Sequence, residues 1–123
     1  MKVYHGTNNR DLGLSDLDST HCVSSSYGPG VYFTQHYDTA ATYGCNVIAI
    51  DVDESKLVNG SRYKFSDIKK LRASGYVGCI IDMYLFKNVL IWNIDDLTHP
   101  GESDDSFNIF LDNWLKEYAW RCK

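Results

Sequence analysis

The chain has 123 residues, 44% apolar and 23% charged, and its 12 basic and 16 acidic side chains leave a net charge of −4. That length supports one domain with a single core, and that balance excludes an intrinsically disordered chain. The acidic balance also argues against a nucleic-acid partner, which requires clustered Lys and Arg; the one such group, Lys69, Lys70 and Arg72, reads as a solvated helix face.

The four cysteines, Cys22, Cys45, Cys79 and Cys122, are widely spaced and include no C-x-x-C pair, so neither a metal site nor a disulfide framework is expected. They read as reduced thiols, with Cys79 buried in its apolar segment. No apolar run approaches the roughly 18 residues of a membrane span, and Met1-Lys2-Val3 opens no signal-peptide pattern. The expected setting is therefore the cytosol, with no membrane partner.

In chain order, Lys2 to Tyr4 reads as a short strand that Gly6 ends, opening a turn at His5-Gly6-Thr7. Asn8 to Ser26 is polar and irregular, with a loop or short helix near Leu12 to Leu17. A glycine turn, Gly28-Pro29-Gly30, precedes a strand over Val31 to Thr34, and its glycines would let a ligand approach the backbone. Thr39 to Tyr43 reads as helical with Asp38 as N-cap. Val47 to Val52 reads as a strand buried on both faces. Asp53 to Ser61 reads as a turn region with a tight turn at Asn59-Gly60, and Arg62 to Phe65 as a short strand. Ser66-Asp67 caps a helix from Ile68 to about Ala73, which Ser74-Gly75 stops. Val77 to Ile81 and Val89 to Trp92 are further strands, joined through Asp82 to Lys87.

The tail carries the strongest helix signal. Phe107, Phe110, Leu111, Trp114, Leu115 and Tyr118 recur at helical spacing as an apolar stripe. Glu102, Asp104 and Asp105 precede it, where the helix dipole favours negative charge. A stripe of this kind packs on a core more often than on a partner. No repeats interrupt the chain, and residues 1–123 read as one mixed α+β domain.

Three blocks stand in sequence: Tyr4-His5-Gly6-Thr7; Gly28 to Phe33 (GPGVYF) with Ala41 to Gly44 (ATYG); and Phe86 to Ile94 (FKNVLIWNI). In order and spacing they resemble the ADP-ribosyltransferase superfamily, on its diphtheria-toxin and poly(ADP-ribose) polymerase side. The resemblance covers most of the chain. It implies a split β-sheet with short flanking helices and a C-terminal amphipathic helix, and NAD as co-substrate. It further implies that Tyr43 stacks on the nicotinamide, that Tyr32 packs on the ring's other side, that the Gly6 backbone bonds the carboxamide and that His5 holds the ribose hydroxyls. Thr7 and Gly30 are supporting candidates. The chemistry suits these residue types: cleaving the nicotinamide–ribose bond creates an oxocarbenium-like ribose that has to be gripped and sheltered.

Two departures matter. Asn88 stands where the family usually has Glu, and a neutral amide neither stabilises a developing cation as a carboxylate does nor acts as a base. Chain-elongating polymerase activity is therefore disfavoured relative to mono-transfer or a crippled site. Asp82 offers a substitute acid, because small members of the superfamily, including a phage anti-CRISPR transferase, keep one at about this place. Ala40 stands where the polymerase branch has a Ser on the carboxamide, and helical geometry turns the adjacent Thr39 away. The resemblance thus implies an NAD-dependent mono-ADP-ribosyltransferase modifying a protein, as a bacterial or phage effector, toxin or anti-defence (anti-CRISPR-like) protein. Its rival is a non-transferring module that binds NAD or a protein; a nucleic-acid transferase or NAD hydrolase is less favoured. Target choice would lie in the Asn8 to Ser26 loop and the Asp82 to Lys87 connection.

Overall fold

Six strands assemble into one open sheet: β1 (Lys2–Thr7), β2 (Val31–Thr34), β3 (Asn46–Asp51), β4 (Leu57–Asn59), β5 (Gly78–Asp82) and β6 (Lys87–Ile91). Their order is β3-β1-β2-β6-β5-β4, antiparallel except for the β4–β5 pair. Helices α1 (Tyr37–Tyr43), α2 (Ile68–Ala73), the single turn α3 (Asp95–Thr98) and α4 (Ser106–Arg121) complete a mixed α+β architecture. This computed structural model describes residues 1–17, 28–98 and 106–121. Cys22, Cys122, residues 18–26 of the proposed recognition loop and the acidic residues ahead of α4 lie outside that set, as does the Tyr118 side chain.

Alternation along β6 distributes the core to both faces of the sheet. Val89 and Ile91 pack with Val3, Val31, Phe33 and Ile94 on one side. Leu90 and Trp92 pack with Cys79 and Ile81 on the other, beneath Ile68 of α2 and Phe107, Leu111 and Trp114 of α4. Full burial of such side chains contributes roughly 1.5–3 kcal/mol each. Under α4 the polar atoms are paired: Trp92 Nε1–H donates to the Tyr63 hydroxyl at 3.3 Å, and that hydroxyl donates to Cys79 Sγ at 3.4 Å. Burial pushes the Cys79 thiol up to about 11 against the opposing pull of the Tyr63 hydrogen bond, and burial, with Cys79 beside it, pushes the Tyr63 phenol upward as well. Arg72 ties the helices together. Its guanidinium binds Asp96 through both Nε (2.8 Å) and Nη2 (2.9 Å), donates to Asn108 (2.6 Å), and lies 4.6 Å from the Phe107 ring centroid.

The structure departs from the sequence reading where long-range pairing overrides local pattern. Gly6 does not end β1 but sits within it, opposite Val47 of β3. A Cβ at Gly6 would collide with the Ala40 carbonyl, so the glycine serves the close approach of α1 to the strand. Gly30, at φ +145°, is likewise closed upon by the Ile91 backbone and Leu90 of β6 rather than left open to a ligand. The strand over 46–51 is not buried on both faces: it lies at the sheet edge, with Ala49 and Asp51 exposed. The expected turn region after Asp53 contains the three-residue β4, and 62–65 forms no strand. At α1 the N-cap is His36, whose Nδ1 accepts from the Thr39 amide at 3.2 Å, while Asp38 sits in the first turn. Asp67 does precede α2, but its carboxylate accepts from Lys64 N–H (3.1 Å) and caps the short turn before the helix.

Candidate functional site

β1 and β2 are joined weakly. Only Tyr4 and Thr34 pair in register between them, whereas β1 pairs with β3 along its whole length and β2 with β6 along all of Val31 to Thr34. At this seam lies a cavity of about 500 Å³. β1 contributes Tyr4, His5 and Gly6, and β2 contributes Tyr32, Phe33 and Thr34. Thr39, Ala40 and Tyr43 come from α1, Asn88 from β6, and Met83 and Phe86 from the β5–β6 connection.

Five of the eight residues singled out in the sequence thus meet here: His5, Gly6, Tyr32, Tyr43 and Asn88. Tyr32 and Tyr43 arrive together because a strand, a short bend and two helical turns bring a chain back beside its starting point. Tyr43, the last residue of α1, is 70% exposed and presents its ring at the cavity's edge. The other three candidates do not line the cavity. Thr7 ends β1 with its hydroxyl accepting from Asn9 N–H at 3.3 Å. Gly30 is buried against β6. Asp82 is exposed at the end of β5, opposite Lys87, while its neighbour Ile81 is the residue opposite Asn88. Successive strand residues point to opposite faces, so Asp82 and Asn88 cannot share one.

Hydrogen bonding assigns the polar groups. His5 Nδ1 lies 2.7 Å from the Tyr32 carbonyl oxygen. A carbonyl only accepts, so Nδ1 carries the hydrogen and the neutral ring leaves Nε2 as an acceptor. This bond also bridges the β1–β2 seam, where the ladder itself is thin. The His5 ring rests against Phe33, with centroids 5.6 Å apart. Asn88 supplies the second acceptor. Its Oδ1 is buried and has no hydrogen-bond partner among the described residues. Leaving such an atom unpaired costs about 1–3 kcal/mol, which marks a place where an outside donor belongs. The Thr34 hydroxyl, facing the same side as Asn88 in the β2–β6 register, accepts from His36 N–H at 3.2 Å.

The described lining contains no Asp, Glu, Lys or Arg. Such a cavity can stack a flat ring on tyrosine and accept hydrogen bonds from hydroxyl or amide donors at His5 and Asn88. Its described residues offer no fixed charge to a reacting centre. No group of three or more metal-ligating side chains occurs among the described residues, and no helix among them is long and apolar enough to cross a membrane. Tyr4, Phe33, Thr34, Met83 and Phe86 were not legible as lining residues. Thr34 had a signal, since it stands two positions beyond Tyr32 on a strand; Met83 and Phe86 had none, because the path of the β5–β6 connection places them.

Compared with family models, curated proteins and solved structures, the chain matches none. The functional reading accordingly rests on the cavity and on the motif spacing.

Proposed function

We propose that the protein is a small NAD-dependent mono-ADP-ribosyltransferase acting on a protein. The observation that carries the reading is the meeting of His5, Gly6, Tyr32, Tyr43 and Asn88, distant in sequence, around one cavity in whose wall Asn88 holds a buried, unpartnered amide oxygen. The sparse β1–β2 pairing is in keeping with the split β-sheet that the family resemblance implies, although β1 and β2 remain neighbours in one six-stranded sheet.

In this reading the nicotinamide lies between the Tyr43 and Tyr32 rings, a setting suited to a cationic aromatic. His5 Nε2 and Asn88 Oδ1 accept from the two ribose hydroxyls. The C–N glycosidic bond breaks with its electron pair leaving on nicotinamide, and a nucleophile of the target protein attacks the ribose carbon. Holding the ribose rigidly contributes through orientation. With no carboxylate among the described lining residues, the site lacks from them an electrostatic contribution of the kind worth on the order of 10²–10³ in rate. The chemistry is therefore slow, and single transfer is favoured over chain growth.

Isotope-labelled NAD added to the protein in bacterial lysate should transfer label to a protein band. Tyr43→Ala should weaken NAD binding by calorimetry roughly tenfold, in line with the loss of one aromatic stacking contact, while leaving the fold intact because the side chain is mostly exposed. Equal behaviour of wild type and Tyr43→Ala, with no labelled protein, overturns the proposal. The lack of lining charge favours one second reading, a module of the same architecture that binds NAD without transfer; NAD binding with no release of nicotinamide selects it.

A further inference from the structure

One imidazole joins two walls of the cavity. His36 lies outside it, between β2 and α1. Its Nδ1 accepts from the Thr39 amide at 3.2 Å and from the Thr39 hydroxyl at 2.8 Å. Its ring stacks on Phe86, with centroids 5.6 Å apart and planes inclined by 26°. Thr39 and Phe86 both line the cavity, one from α1 and the other from the β5–β6 connection. With two donors converging on Nδ1, the bound state of His36 is the neutral ring with its hydrogen on Nε2.

We infer that His36 is a positioning residue: as a neutral ring it latches α1 into the cavity wall, and its protonation releases that wall. An imidazolium carries hydrogen on both nitrogens and cannot accept the Thr39 amide, so α1 loses its cap. The new charge also sits at the positive end of the helix dipole. Three groups act the other way. The Thr39 hydroxyl, 2.8 Å away, can turn to accept from the protonated Nδ1, although it does not replace the acceptor that the Thr39 amide loses. The Phe86 face attracts a cation, and Asp38 in the first turn is a carboxylate. The Phe86 attraction holds the imidazolium on the connection rather than on α1, so it does not restore the cap. Lys87, next to Phe86, is anchored independently: its amide donates to Gln35 Oε1 at 2.9 Å, and its carbonyl accepts from Gln35 N–H at 3.0 Å. The connection therefore keeps its place while α1, with Thr39, Ala40 and Tyr43, loosens. Acid that protonates the imidazole therefore acts on this contact. The effect on NAD rests on the ribosyltransferase reading; the latch itself does not.

The test is amide hydrogen exchange on the full chain at pH 8 and pH 5.5, corrected for intrinsic exchange, in wild type, His36→Asn and His36→Ala. Wild type should lose roughly fivefold protection in α1, centred on Thr39, at the lower pH, a cap's worth of stability. His36→Asn should hold constant protection, because an asparagine oxygen caps without titrating; His36→Ala should be weakly protected at both pH values. Unchanged protection in wild type, or an equal fall in His36→Asn, overturns the latch, and that pair of measurements decides even if His36→Ala does not fold. Calorimetry with NAD at pH 8 should show wild type and His36→Asn alike and His36→Ala several-fold weaker. Exchange as expected with no NAD binding by any variant upholds the latch and sinks the ligand reading; flat exchange with NAD bound does the reverse.

Discussion

One face of the sheet runs from Trp92 to Asn88 along β6, and its two ends are treated differently. At the Trp92 end α4 covers the sheet, and every polar atom described there has a protein partner: indole to phenol, phenol to thiol. At the Asn88 end the same face meets the cavity, and a buried amide oxygen is left unpaired. Polar groups under a helix are satisfied within the fold because water cannot reach them. A polar group left orphaned beside a cavity has given up stability that a ligand donor can return. The contrast separates the part of the molecule that holds the fold from the part available for function.

The sharpest way to break the covered end is Trp92→Ala. It should cost about 3–5 kcal/mol in denaturant unfolding, since it opens a large cavity and strips the Tyr63 hydroxyl of its donor. A cost below about 1 kcal/mol would mean that this end is not the stabilising one. Alkali probes the same end more gently. The Cys79 thiol rises from an ordinary 9.0 to about 11 in the fold. Above about pH 9 the unfolded chain releases that proton while the folded chain retains it. Stability present below pH 9 should therefore be lost as pH climbs through about 11, by on the order of 2 kcal/mol. Cys79→Ala should flatten that part of the unfolding-versus-pH curve. The smallest effect on stability is expected at the open end and has the opposite sign. Asn88→Leu removes the unpaired amide and should stabilise the fold by roughly 1 kcal/mol, while NAD affinity drops at least tenfold. A destabilised Asn88→Leu would show that the amide serves the fold after all.

Much of this was readable in the chain. The α4 stripe buries Phe107, Leu111 and Trp114 as its spacing predicts, and β2 occupies the expected Val31 to Thr34. Tyr32 and Tyr43 reach one cavity because only local geometry separates them. Other features depended on neighbours. The near-continuous apolar run over 47–52 signals a strand covered on both faces, yet β3 lies at the sheet edge with Ala49 and Asp51 exposed. β4 was hidden because three residues before Asn-Gly carry too little alternation to distinguish a strand from a turn. Asp38 is a good N-cap by residue type, but the helix starts at Tyr37, two residues before the expected Thr39, and His36 takes that place. Asp82 looked close enough in sequence to replace a missing acid, and a one-residue offset sends it to the opposite face from Asn88.

Residue spacing alone determined the period of each main element, the apolar sides that had to be buried, and the order of the three motif blocks. Tertiary structure alone decided which strand became an edge, which glycines were approached by backbone, and whether Asn88 or Asp82 faced the cavity. The reason is physical. Side-chain period is a property of consecutive residues, whereas sheet order and register come from pairing between segments tens of residues apart, and no single segment encodes its partner.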